Sequence, residues 1–166
     1  MKIVPIKASP FNIKGLKTNL RKTLRAEGKI DKKMLQETTA TWKGTKPRFK
    51  VIEKVTPNVL SVEVVPSGAG AKKWWWLEEG TRAHIIRPRK RSGRLFFRTG
   101  GRPKTKVGKL KSGRGARGKN LVVAKQVRHP GTKARLWRQV VWRKRNRPLL
   151  RKLRGDFNLL ARSPAP

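Results

Sequence analysis

The chain has 166 residues, enough for one domain, and carries 45 Lys and Arg against 8 Asp and Glu, a formal charge of +37. With 36% apolar residues the core is small, and self-repulsion of this size calls for a polyanion or an acidic protein surface as partner. No cysteine is present, which excludes disulfides, thiolate metal sites and thiol nucleophiles.

At the N-terminus, MKIVPIKASP holds too short an apolar stretch for a signal peptide, and no run reaches the roughly 18 apolar residues of a membrane span. We therefore expect a protein made and used without a membrane partner. Ser9-Pro10 reads as an N-cap with proline at the first helical position. Leu16, Leu20 and Leu24 follow at helical spacing, and Gly28 is expected to end that helix. Asp31 opens a second predicted helix, with Met34, Leu35 and Trp42 on one side and Gly44 at its end. Residues 47–56 and 59–65 alternate as strands, with Phe49, Val51, Leu60, Val62 and Val64 as candidate core and Pro57-Asn58 as the turn. PSGAG (66–70) is a loop. WWWLEE (74–79), AHIIR (83–87), RLFFR (94–98) and LVVAKQV (121–127) read as further strands.

The interval 98–119 contains nine basic residues and six glycines, too few large apolar groups to pack a core of its own. It is expected to be an arm or long loop within a single domain spanning 1–166. Leu136, Trp137, Val140 and Val141 begin a C-terminal amphipathic helix. Asn146 and Pro148 suggest a break or restart, after which Leu149, Leu150, Leu153, Phe157 and Leu160 continue the stripe to about Ala161, before the tail SPAP. Helices, then strands, then a helix predict an α+β fold with an antiparallel sheet.

Charge is unevenly placed. Glu27, Asp31, Glu37, Glu53, Glu63, Glu78 and Glu79 all lie in the first half, while Gly80 to Gly155 contains 27 Lys and Arg and no acid. The second half thus offers only His84 and His129 as titratable catalysts, with no acid to orient them. Glu78 and Glu79, on a strand, point to opposite faces and do not form an acid–base pair. No Walker-type phosphate loop or metal-ligand set is legible. The sequence predicts a non-enzyme without cofactor or metal.

Two features suit binding. Arg98, Arg102, Lys104, Lys106, Lys109, Lys111, Arg114, Arg117 and Lys119 are candidate contacts to phosphates or to an acidic partner, without base readout. Trp74, Trp75, Trp76, Trp137 and Trp142 are interface candidates, since Trp is enriched at interfaces and three consecutive indoles are hard to bury together in so small a domain. On a strand, Trp74 and Trp76 share one face and Trp75 the other.

Two stretches carry a family resemblance: W-W-L-E-E-G-T (75–81), an aromatic strand ending in Glu-x-Gly-Thr, and H-P-G-T-K-A-R-L-W (129–137), leading into the last helix. In this order, separated by an insertion, they resemble the neck (head–tail joining, minor tail or tail-completion) proteins of tailed bacteriophages. Glu78, Gly80 and Thr81 match the first motif; His129, Pro130, Gly131 and Thr132 match the second. The family's usual Pro-Phe is replaced by Leu136-Trp137, and the insertion Arg87–Asn120 is long and basic. As architecture, Gly80 and Gly131 permit turns, Pro130 sets the chain direction, Thr132 is expected to cap the next helix or to hydrogen-bond locally, and His129 to link one turn to another. The resemblance implies a structural virion protein, assembled in the host cytoplasm. It would form a homo-oligomeric ring of roughly six or twelve subunits. That ring would join a head-closure or portal-adaptor ring to the tail proteins, around the passage for genomic DNA. The basic arm would then line the channel or, for part of it, clasp an acidic neighbouring ring, since a heavily cationic channel retains DNA. The rival expectation from composition alone is a ribosome-associated or other RNA-binding protein.

Overall fold

The computed structural model describes residues 13–56, 59–90, 93–113 and 115–162, the ends of the first and last helices by backbone alone. The Ser9-Pro10 cap, the Pro57-Asn58 turn, Arg114 and the SPAP tail lie outside them. The fold is α+β. Helix α1 (Ile13–Glu37) is followed by the hairpin β1 (Arg48–Val55) and β2 (Leu60–Ser67), then helix α2 (Ala71–Glu79). Strands β3 (His84–Ile86), β4 (Leu95–Thr99), β5 (Asn120–Ala124) and β6 (Val127–His129) lead to helix α3 (Trp137–Arg162). The expected antiparallel pairing is present, divided into three two-stranded ribbons: β1–β2, β3–β6 and β4–β5.

The first two predicted helices are one. Gly28 does not stop α1, and Asp31 starts nothing. The stripe Leu16, Leu20, Leu24 runs on through Glu27, Gly28 and Asp31 to Leu35. Its middle is polar because the facing surface is charged: Arg145 and Lys152 of α3 both pair with the buried Glu27. Arg145 also lies 3.4 Å from Asp31, and Thr23 donates to Asp156 at 2.6 Å. These pairings run α1 and α3 antiparallel. Gly28 serves close packing, because a Cβ there would stand 2.6 Å from Val62 Cγ1 on the hairpin. The helix ends where Thr38 Oγ1 turns back on the Leu35 carbonyl, so Trp42 and Gly44 follow it in a loop.

The hairpin matches expectation, paired from Arg48↔Ser67 to Val55↔Leu60 and closed by Thr56 N–H donating to Val59 O. Phe49 is buried, and Val51, Leu60, Val62 and Val64 are half-buried. PSGAG is shorter as a loop than expected, because Pro66 and Ser67 belong to β2.

The segment WWWLEE is helical rather than extended. On a helix Trp74 and Glu78 stack on one side, one turn apart, and the core takes both. Trp74 meets Phe49 edge-on at 5.5 Å and Trp137 at 5.4 Å, while its Nε1 donates to Thr38 Oγ1. Leu35, Trp42, Leu110 and Val141 complete this cluster. The β-preference of tryptophan reflects packing on a pleated surface, and here the packing partner is the start of α3.

Helix α3 runs unbroken past Asn146 and Pro148. Proline removes the donor for the Lys144 carbonyl. Contacts of Arg145, Lys152 and Asp156 with α1 fix the turns on both sides of it, so the restart does not occur.

Candidate functional site

The two stretches that carry the resemblance meet in space. Thr81 N–H donates to Thr132 O at 2.9 Å, and Thr132 N–H donates back to Thr81 O at 3.1 Å and to Thr81 Oγ1 at 2.9 Å. Both motif glycines are required. Gly80 has φ +79 and Gly131 φ +88, and a Cβ on either would come within 2.5 Å or less of the opposite strand's carbonyl oxygen, Thr132 O or Thr81 O. Of its two expected roles Thr132 takes local hydrogen bonding, in this bridge, and does not supply the cap of α3. That cap is Glu78, whose buried carboxylate accepts from Trp137 N–H at 2.6 Å and Arg138 N–H at 3.0 Å. A carboxylate over a helix N-terminus satisfies free donors and complements the dipole. In return, Arg135 and Leu136 donate backbone bonds to the last carbonyls of α2, Leu77 and Glu78. Arg138 bridges Glu78 at 3.3 Å and Glu79 at 3.5 Å, but the two acids differ: Glu78 is buried as the cap, whereas Glu79 is exposed.

The hydrogen bond made by the His129 ring among the described residues stays within its own turn: Nδ1 accepts from Gly131 N–H at 3.0 Å. Its ring lies 5.1 Å from that of His84, its strand partner. Among the described residues no group of three His, Asp or Glu is placed to hold a metal.

Of the interface candidates, Trp74 and Trp137 are wholly buried and belong to the core. Trp75 is half-buried beneath the Arg138 guanidinium, 4.5 Å from its ring. Trp76 (52% exposed) and Trp142 (61%) remain on the surface.

The basic interval is a long loop that folds back. Its base is zipped by the Arg102↔Ala116 bridge. Leu110 enters the common core, Thr105 is buried against Arg135, and Trp137 Nε1 donates to Lys109 O at 3.0 Å. Lys104 is half-buried and its Nζ donates to Thr41 O at 2.7 Å, which removes it from the free cations. Arg98, Arg102, Lys106, Lys109, Lys111, Arg117 and Lys119 stay exposed.

One cationic cluster was not singled out by sequence. The run 121–127, expected as one strand, is two, β5 and β6, because the opposing strands are offset. Eight residues, 87–94, separate β3 from β4, whereas only Lys125 and Gln126 separate β5 from β6. Beside these two connections lies a cavity of about 600 Å³, lined among the described residues by Arg87, Pro88, Arg89, Gly93, Arg94, Lys125 and Gln126. The signal available in sequence was the absence of any acid from Gly80 to Gly155.

Comparison with known proteins gives no match to any family model, curated sequence or solved structure.

Proposed function

We propose that this chain is a structural component of a tailed-phage head–tail connector, a subunit of a ring that joins a head-closure ring to the tail around the DNA passage. The observation that carries the proposal is the junction of its two motifs. Distant in sequence, Thr81 and Thr132 bond to each other and Glu78 caps the start of α3, so the two motifs join one another and the last helix. Motif residues used in this way build a scaffold and leave no nucleophile or acid–base pair facing solvent. Trp76 and Trp142, both exposed, supply apolar area for contacts between subunits. The exposed loop cations suit an acidic neighbouring ring, with part of the charge facing DNA.

The test is the position of this chain in a nuclease-treated lysate fractionated by density, detected by peptide mass spectrometry. We expect it with intact virions at a few to about a dozen copies per particle. Recovery with ribosomes or free RNA, lost on nuclease or salt treatment, sinks the connector reading in favour of an RNA-binding protein.

A further inference from the structure

The ribbon β4–β5 has one face turned wholly to solvent. Pairing of Phe96 with Val123 and of Arg98 with Leu121 puts these four side chains on one side, and all four are exposed, Phe96 at 70%. Leu95, Phe97, Val122 and Ala124 alternate onto the other side and are half-buried. Arg94 and Lys125 continue the exposed face past the end of the ribbon, and there they line the cationic cavity together with Arg87 and Arg89. Phe96 follows Arg94 by two residues, about 7 Å along the strand. A bare aromatic ring thus stands between two guanidinium groups, Arg94 and Arg98, at the mouth of a pocket whose charged lining is all cationic.

No acid answers these charges; Arg98 gives one N–H to the Lys119 carbonyl at 3.1 Å and keeps the rest of its guanidinium exposed. Among the described residues the ion pairs use Arg21, Arg25, Lys54, Arg138, Arg145 and Lys152, all outside this surface. A partner must bring the anions. An acidic protein surface satisfies the cations but must also bring apolar side chains to cover Phe96, which lies beside Val123 and Leu121 on the same face. A nucleic-acid strand with unpaired bases satisfies both, since phosphates take the cations and a base takes the ring face. A duplex keeps its bases stacked and offers the ring nothing.

We propose that this cavity and ribbon face form a binding site for single-stranded nucleic acid. Arg87, Arg89, Arg94 and Lys125 hold consecutive phosphates in and beside the cavity, Phe96 stacks on a base, and Arg98 receives the next phosphate. The site does not rest on the connector reading, and a ring subunit or an RNA-binding protein can carry it.

The difficulty for any test is the bulk charge of +37, which attracts all polyanions. Two variants of equal charge separate site from bulk: Arg87→Gln/Arg89→Gln/Arg94→Gln in the site and Lys22→Gln/Lys29→Gln/Lys33→Gln on the exposed side of α1. Binding of the full chain to a fluorescent oligothymidylate of about twelve nucleotides is measured by anisotropy at about 0.15 M salt. The site variant is expected to weaken binding about tenfold or more, and the α1 variant less than about threefold. Phe96→Ala is expected to weaken oligothymidylate binding roughly fivefold to tenfold and to leave a duplex of the same length unaffected. Because every substituted side chain is exposed, circular dichroism of all three variants should match the parent. Equal losses for the two triple variants would reduce the surface to bulk charge and overturn the proposal. A Phe96→Ala protein that binds oligothymidylate like the parent overturns it as well, leaving a phosphate-only or acidic-protein surface.

Discussion

Two regions of this protein have opposite electrostatic designs. The helices and the β1–β2 hairpin hold all eight acids, and there the charges are largely spent inward, Glu27 against Arg145 and Lys152, Glu53 against Arg21 and Arg25, Glu78 on the start of α3. From Arg82 to Lys133, the ribbons and the loop carry eighteen Lys and Arg and no acid, so their field is directed outward. Packing divides the same way. The buried apolar side chains Leu16, Leu35, Trp42, Phe49, Trp74, Trp137 and Val141 belong to the first region, and the second contributes Leu110. One region therefore holds the fold and the other turns its charge to solvent, at the expense of its own stability.

The largest effect should come from the shared tryptophan cluster. Trp137→Ala removes a fully buried indole, its contact with Trp74 and its hydrogen bond to Lys109 O, with an expected loss of ~3–5 kcal/mol in urea unfolding. A loss under ~1 kcal/mol would mean that the two regions are not joined through this residue.

Next is the cap. Glu78→Ala leaves the amides of Trp137 and Arg138 without their acceptor, for an expected cost of ~1–3 kcal/mol. The adjacent, exposed Glu79→Ala should cost less than ~0.5 kcal/mol, and equal effects would remove the distinction drawn between the two acids.

Smaller still is the loop. Lys106→Gln/Lys109→Gln/Lys111→Gln should change stability by no more than ~0.5 kcal/mol, while head–tail joining by the variant in an infection assay falls. Lys104 is kept out of this set because it bonds to Thr41 O, so its loss mixes stability with binding. Unchanged joining would detach the loop from assembly.

The smallest effect concerns pH. The hydrogen bond from Arg21, aided by the charges of Arg21 and Arg25, holds the Glu53 carboxyl below its ordinary value of 4.5. A depressed folded value means stability that is present above 4.5 and is lost as pH falls through and below it. Burial pushes Asp31 the other way, above 3.8, so ionised Asp31 opposes folding at neutral pH and acidification relieves that cost. Glu53→Gln should therefore flatten the acid side of the melting-temperature profile, and Asp31→Asn should steepen it. Identical profiles for the two variants would contradict these signs.

Much of the fold was legible as local pattern. Alternation gave the β1–β2 hairpin and the existence of β3 and β4, and the late apolar stripe gave α3. The errors fall where a distant partner overrode a local signal. Gly28 and Asp31 look like a helix boundary until α3 brings Arg145 and Lys152 against that face. Three tryptophans look like a strand until the core draws Trp74 and Glu78 to one side of a helix. Of the candidate site, the loop cations were legible as charge. The cavity of Arg87, Arg89, Arg94 and Lys125 was not, because it is lined by two connections far apart along the chain.

Sequence alone determined the α+β class, the lack of thiol chemistry and the acid-free stretch from Gly80 to Gly155, since composition and short periodicities do not depend on what lies across the fold. Tertiary structure decided which charges are spent and which are free. A cation's role depends on whether a carboxylate or a carbonyl lies within hydrogen-bonding reach, and that distance is set by contacts such as Lys104 to Thr41 and Lys152 to Glu27, far apart along the chain.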